Sequence, residues 1–534
     1  MTPAALPRGD AWRRLAPALL AVFVGALDLT VIATILPPMV ADLGINTADI
    51  DRYVWIVNGY LLAYVVAIPI VGRVSDLIGR QAAFQASLAL FLVGSVWCAA
   101  ADDLLGLIVG RVIQGAGGGA LLPVAMALVG DVLPPARRAG ALGVVGAVDT
   151  LGWVLGPLWG AAVVGVIPGD QAWRWVFIVN VPLGALAALA IFRSVRGSRE
   201  SGRGWLSRLD LVGTALLAAA LLALNLGLSA GGELGGAQGG GRALGGTRNP
   251  LGDYLLPLLG GAFVLGVLLI WWERRAVHPV LPLGLFRRRR FAAAMGANAL
   301  AGAALIVAMV DVPVVVALLV EPARVSAVSA LMLAPFTLLM AALSLLGGAV
   351  AIRFGERRTA ATGLVLVAVG YAVLWWGLRN GDYLGLLPGL ALAGAGFGLV
   401  IAPIGAAVID AAPAPDRGIA AGLTLVFRLL GMTIGISSLT AIGVRRLQGL
   451  TGDLAEFPRG AGESTAEFLA RQAQFLQERV IPLSTQVVRE TFLIAGTLAL
   501  LALVPVWLMR ERGPGPPRRD EPQSAADRPV STVP

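Results

Sequence analysis

Five charged residues stand inside long apolar runs, where charge is expensive. Asp28 lies in GALDLTVIATILPP, within a stretch running from about 15 to 37. Arg111 lies in GRVIQGAGGGALLP, several residues into its span, Asp149 in GAVDTLG, Asp311 in AMVDVPV and Arg428 in LVFRLLGMTIG. An aspartate at the centre of a membrane helix costs ~2.5–3.5 kcal/mol on insertion scales, and such residues commonly mark ion or proton paths. Burial favours the neutral form of a carboxylate and a nearby arginine favours the charged form. A group balanced between the two can bind a proton from one side and release it to the other. That chemistry is expected of Asp28, with Arg428 as a candidate partner and Arg111 as a second tuning group. A fixed buried ion pair is the plainer alternative. Asp149 is expected near mid-depth and Asp311 toward the outer end, whereas Asp410 falls close to the inner edge and suits an ordinary boundary role.

Little else in the chain could do chemistry. There is one cysteine, Cys98, and one histidine, His278, in a loop crowded with arginines. No disulfide framework, Cys/His metal cluster or nucleophile with a positioned base can be assembled from these. Neither an enzyme nor a metal or organic cofactor is expected; a proton gradient would be the energy source.

These residues need elements that hold them across a bilayer, and the composition supplies them. Of 534 residues, 57% are hydrophobic and only 14% are charged, with a mean hydropathy of +0.80. Apolar runs of twenty or more residues recur, and at ~1.5 Å rise per residue each crosses a hydrocarbon core of ~30 Å. The first is too long for a signal-peptide core and carries Asp28, so it is read as a retained helix. Fourteen spans are predicted, near 15–37, 52–72, 81–101, 104–126, 139–165, 174–193, 209–229, 254–273, 291–319, 327–351, 359–378, 384–410, 418–443 and 486–509. The fold class is therefore an all-α polytopic membrane protein.

The net charge of +9 comes from arginine alone, since the chain has no lysine. The arginines fill alternate short loops: Arg73 and Arg80, Arg137 and Arg138, Arg193 to Arg208, Arg287 to Arg290, Arg357 and Arg358, then Arg417. The opposite loops are short or acidic, with Asp42, Asp49, Asp51, Asp102, Asp103, Asp170, Glu321 and Asp382. This alternation orients the protein with both termini in the cytoplasm, and no nucleic-acid partner is implied.

Two outer segments stand apart. SAGGELGGAQGGGRALGGTRNP reads as a flexible loop. In 445–485, Ser464 and Glu467 have capping-box spacing, and Phe468, Leu469, Phe475, Leu476 and Val480 follow at helical intervals. An amphipathic outer helix over 465–481 is predicted, stopping or kinking at Pro482. The polar, proline-rich tail 511–534 is expected to be disordered.

Glycine patterns complete the picture. Gly72 precedes Gly79 by seven residues in GRVSDLIGRQ, and Gly348 precedes Gly355 by seven in GAVAIRFGERR, an internal echo that suggests two related bundles. Ile352 stands in the second copy where Asp76 stands in the first. Gly117, Gly118 and Gly119 read as close helix packing. Gly143, Gly152, Gly156, Pro157 and Gly160 run along the fifth span, where small residues admit a neighbour and the proline removes a backbone hydrogen bond. A tight turn and a basic inner edge account for Gly72, Arg73, Gly79 and Arg80, but not for the acid Asp76 among them.

With that acid, the loop resembles the signature G-x-x-x-D-x-x-G-R of the major facilitator superfamily. The resemblance implies two six-helix bundles and gives Asp76 and Arg80 the inner gate, together with Gly72, Arg73 and Gly79. Arg111, Gln114 and Gly115 resemble the family's fourth-helix motif, associated with proton coupling. The fifth-span glycines with Pro157 resemble its exporter motif, Ala161 replacing the final glycine. LDLTVIATILP, WRWVFIVNVP and HPVLPLGLFRRRRF resemble the first helix, sixth-helix entrance and central loop of the fourteen-helix drug:proton antiporters. On that plan, 1–195 form the first bundle, 196–285 a linker with two extra helices, 286–510 the second bundle with its outer insertion, and 511–534 a cytoplasmic tail.

VDVPVVVAL, ALDLTVIATI, WIVNGYLLAYVVAIPIVGRVSD and AGAGFGLVIAPIGAAVID look more like the lipid-exporting branch known from mycobacteria. That branch moves triacylglycerides outward with a lipoprotein partner. The resemblance thus implies a multi-pass protein of a bacterial inner (plasma) membrane that exports lipids or lipid-like amphiphiles by proton-driven alternating access. Membrane lipids, a hydrophobic small-molecule substrate and a periplasmic or surface lipoprotein are the implied partners. The candidate cavity residues are Asp149, Asp311, Trp55, Tyr60 and Trp153, although aromatics in spans also commonly face lipid. Efflux of hydrophobic cationic drugs is the close alternative, with Asp149 or Asp311 holding the cation. An uncoupled lipid scramblase is the third.

Overall fold

The computed structural model describes residues 8–44, 55–194, 209–231, 254–321, 324–451 and 474–509, with 464, 467 and 471 besides. Fourteen helices among them are long and apolar enough to cross a membrane, the number predicted, and no strand occurs among these residues. The first six are α1 (Arg8–Asp42), α2 (Trp55–Ile78), α3 (Arg80–Ala100), α4 (Leu104–Val132), α5 (Pro135–Val166) and α6 (Arg174–Ser194). A linker pair follows, α7 (Leu211–Gly231) and α8 (Leu255–Glu273). The last six are α9 (Arg289–Leu319), α10 (Val325–Phe354), α11 (Glu356–Gly377), α12 (Leu387–Ala411), α13 (Arg417–Thr451) and α14 (Ile481–Leu501).

Several helices outrun their predicted spans. α13 has 35 residues, about 52 Å at ~1.5 Å per residue against a hydrocarbon core of ~30 Å. It passes the end predicted at 443 because hydropathy marks where a helix leaves hydrocarbon, not where its hydrogen bonds stop. Most of the predicted 465–481 helix lies outside the described residues, but its start is visible. Ser464 Oγ accepts from the Glu467 amide at 3.2 Å, and the Glu467 carboxylate accepts from the Ser464 amide at 2.9 Å, a reciprocal capping box. At the other end, a π-helical turn over Leu476–Val480 leads into α14, with Pro482 in its first turn. The chain thus accommodates Pro482 by widening the preceding turn, at a helix position where a missing N–H is least felt. The glycine-rich outer loop and the 511–534 tail lie outside the described residues.

Packing follows the small residues. In the first half α1 lies against α4, α5 and α6, and α4 against α2 and α3. In the second half α12 lies against α10 and α11, and α9 against α13 and α14. Two seams join the halves, α2 with α13 and α5 with α10. α7 and α8 pair with each other, and α7 touches both α2 and α13, so it covers one seam. Most of α8 is left open, with Leu256 and Phe263 exposed, as suits a helix facing lipid.

The internal echo holds in three dimensions. Gly79 and Gly355 both have φ near +90°, at the turns into α3 and α11, where only glycine avoids strain. A Cβ on Gly72 would lie 2.6 Å from the Gly418 carbonyl oxygen, and one on Gly348 2.4 Å from that of Ala139. Each glycine therefore brings backbone against backbone at its seam.

Candidate functional site

Asp28 is fully buried and fully engaged. Arg111 Nη1 donates to its Oδ2 at 2.8 Å, while Gln114 Nε2 and Asn180 Nδ2 donate to its Oδ1 at 2.9 and 2.7 Å. α1, α4 and α6 therefore converge on one carboxylate. Arg111 also donates to Gln114 Oε1, and Gln114 to Ser95 Oγ at 2.8 Å, which carries the network into α3. The Arg111 guanidinium lies 4.0 Å above the Tyr60 ring and 5.9 Å from that of Phe177. Its Nε and Nη2 have no hydrogen-bond partner among the described residues, so aromatic faces take up part of its charge. Asp28 and Arg111 are both 0% exposed, and a pair so placed is held by the further donors on the carboxylate and the aromatic faces against the guanidinium.

Arg428 does not join this network. It rises from α13 into a central cavity of about 360 Å³. There it lies within electrostatic reach of Asp149 and Tyr64, with its Nε 3.5 Å from Asn298 Oδ1. Asp149, Tyr60, Trp153, Arg111 and Arg428 line the cavity, and the rest of its wall is chiefly Leu, Ile, Val and Met. Asn225 and Leu226 of α7 complete the lining, so the linker contributes to the cavity. Two predicted members do not. Trp55 is the first residue of α2, outward of the lining positions that begin at Val57. Asp311 turns toward α14, where the Thr491 hydroxyl bonds its carboxylate. Leu305 and Ile306 are what α9 shows the cavity.

The inner face is closed by charge. Asp76 Oδ1 and Oδ2 accept from the Gly418 and Ile419 amides at 2.9 and 3.0 Å, so a carboxylate of one half caps the positive end of α13 in the other. Arg80 holds Asp76 at 2.5 Å and Asp131 at 2.9 Å. Arg417 crosses back to the Gly130 carbonyl and Asp131 at 2.8 and 3.0 Å. Arg73 reaches Asp416 at 3.3 Å, and Arg138 pairs with Asp410. Asp410, expected at the inner edge, is thus part of the contact between the halves.

α5 changes partner along its length. A Cβ on Gly143 would meet the Ser344 carbonyl of α10 at 2.4 Å, whereas Cβ atoms on Gly152, Gly156 and Gly160 would strike α1. Pro157 cannot donate to the carbonyl four residues before it, that of Trp153. Thr30 of α1 supplies the missing donor, its Oγ1 bonding Trp153 O at 3.0 Å. Gly156 makes the room, since a Cβ there would fall 2.0 Å from the same hydroxyl. Ala161 is exposed, so replacing the motif's last glycine costs no contact. Asn180, Ser95 and Thr30 are the site residues that sequence reasoning passed over. Asn180 had a visible signal as the one side-chain amide in the apolar run of α6.

Two helical bundles around a central cavity, latched at one membrane face, define the architecture of a polytopic transport protein. A sequence model of the Major Facilitator Superfamily matches residues 18–436 and 315–533. The chain belongs to that superfamily. It is 36% identical over 507 residues to a triacylglyceride transporter of Mycolicibacterium smegmatis, covering 91% of this chain and 86% of that one. It is 38% identical over 479 residues to one of Mycobacterium tuberculosis, covering 85% and 88%. Those relatives bear out the resemblance to the mycobacterial triacylglyceride transporters. Among solved structures, the proton:xylose symporter XylE aligns with a TM-score of 0.61 at 14% identity, covering 93% of this chain and 95% of that one. The human organic anion transporter MFSD10 aligns at 0.56 and 16%, covering 95% and 100%. At such identities these two speak for the fold alone.

Proposed function

We propose that this protein exports triacylglyceride-type lipids or similar amphiphiles across a bacterial inner membrane, by alternating access driven by protons. Asp28 is the proton carrier, Arg111 tunes it, and Arg428 acts from the cavity on Asp149. Asp76, Arg80 and their partners hold the inner face shut while the cavity serves the outside, with a lipoprotein as the receiving partner there. The observation that carries the proposal is a carboxylate with three donors set beside Arg111, itself in the wall of a chiefly apolar cavity. A proton taken up by Asp28 weakens its hold on Arg111 and so changes the wall the substrate meets. The names of the relatives direct the substrate class toward lipid, and the chiefly apolar surface of the wall agrees with it.

Asp149 in the cavity wall favours a second reading, efflux of cationic drugs, although Arg428 within reach opposes a cation there. Proteoliposomes with an imposed pH gradient separate the possibilities, with labelled triacylglyceride and ethidium as probes. Lipid movement that requires the gradient supports the proposal. Ethidium transport without lipid movement replaces it with drug efflux. Lipid movement indifferent to the gradient refutes the coupling.

A further inference from the structure

The linker pair ends in an acidic cluster that the transport cycle described above does not use. Glu273, the last residue of α8, is 5% exposed. Its Oε1 accepts from the Leu281 amide at 3.1 Å, which pins the loop leading to α9. Its Oε2 is buried with no hydrogen-bond partner among the described residues. Beside it Asp210, at the start of α7, accepts from the Trp272 indole at 2.7 Å and the Gly213 amide at 2.8 Å. Both carboxylates crowd Gly213, where a Cβ would meet Asp210 Oδ2 at 2.5 Å and Glu273 Oε1 at 2.9 Å.

Arg73 of the inner gate lies within electrostatic reach of Glu273. Arg73 is itself incompletely bonded. Its Nη1 reaches Asp416 of the opposite bundle at 3.3 Å, and its Nε is buried without a partner. Glu273 and the partly exposed Arg73, whose charge acts on it, thus each keep one buried polar atom with an unfilled valence. Such groups are costly to leave so, and a native fold that keeps them has a use for them.

We propose that Glu273 is a positioning residue of the inner gate, a second carboxylate to which Arg73 turns when Asp416 withdraws with the opposite bundle. The inference rests on the alternating-access proposal above. In the closed state Asp416 already holds Arg73, so Glu273 adds little. In the open state it is the carboxylate left to that guanidinium. The linker pair therefore favours the inward-open state, in addition to covering a seam and lining the cavity. It acts from the end of α8, whose partner α7 touches α2 and α13.

Spin labels on Ala136→Cys and Ala414→Cys, both exposed at the inner ends of opposite bundles, report the gate in lipid nanodiscs, and the buried Cys98 can remain. Asp416→Asn should enlarge the long-distance population. Glu273→Gln keeps an acceptor for the Leu281 amide but loses the charge, and should reduce that population about tenfold, the scale of one charge-assisted hydrogen bond. Glu273→Asp should restore part of it. In an Arg73→Gln background, Glu273→Gln should have no further effect. A normal response to Asp416→Asn with none to Glu273→Gln overturns the role of Glu273 and leaves alternating access standing. A single distance distribution, unmoved by Asp416→Asn and by pH, overturns both. A linker with only a scaffold role would lower the yield of folded protein without shifting the gate.

Discussion

Replacing Asp28 by asparagine tests the proton role, but the geometry shows that the single change is a poor experiment. Asp28 accepts three hydrogen bonds, two of them from amides that can reorient to offer an oxygen instead. The guanidinium of Arg111 has no acceptor to offer and no other carboxylate ion pair among the described residues. Removing one member of a buried pair costs ~3–5 kcal/mol. At ~1.4 kcal/mol per decade that is about two to three and a half powers of ten in the folding equilibrium. Asp28→Asn should therefore express weakly and lose transport for a reason unrelated to protons. Asp28→Asn with Arg111→Gln removes both charges and leaves amides that can bond one another, so most of that stability should return. Thermal stability in detergent gives the first comparison, and gradient-driven lipid transfer in proteoliposomes the second. The expected outcome is a recovered fold with transport that no longer responds to the gradient. Gradient-driven transfer at the wild-type rate in the double variant would refute the proton role and leave Asp28 and Arg111 a structural pair.

Thr30→Val should destabilise the protein by about 1 kcal/mol, within the range for interhelical hydrogen bonds in membranes, and steric-trapping unfolding would measure it. The same change should cost almost nothing beside Pro157→Ala, which gives Trp153 O a donor within its own helix. Additive costs would mean that the hydroxyl is not serving that carbonyl. Gly72→Val should keep the inner gate from closing, because even a Cβ lies 2.6 Å from Gly418 O. Thiol labelling of Ala421→Cys, buried against the first bundle while the gate is shut, should then speed up from the cytoplasmic side while thermal stability changes little.

Depth was legible in the sequence and direction around a helix axis was not. The fourteen spans and the turns at Gly79 and Gly355 followed from hydropathy, charge alternation and spacing. Both Arg111 and Arg428 were recognisable as arginines inside spans, and either could have faced Asp28. The choice of Arg111 depends on α4 packing against α1, which no local pattern records. Asp311 shows the same limit, since its level in α9 was apparent but its turn toward Thr491 was not. Asn180 and Thr30 were overlooked because isolated amides and hydroxyls in apolar runs are common and acquire meaning only from a neighbour. Trp55 was placed by residue type, and its position at the very start of α2 put it beyond the cavity wall.

The bond from Thr30 to the carbonyl that Pro157 leaves bare also bears on how the protein is made. A fifth helix inserted alone would carry an unmet backbone acceptor into hydrocarbon, where no water can satisfy it. Because the chain is synthesised from its N-terminus, α1 and its hydroxyl are already in the membrane when α5 emerges. The notch at Gly156 lets the new helix settle against the older one at a single register, with Gly152 and Gly160 on either side. The proline that loosens α5 thus gives a reason for α5 to find α1 before the second bundle exists.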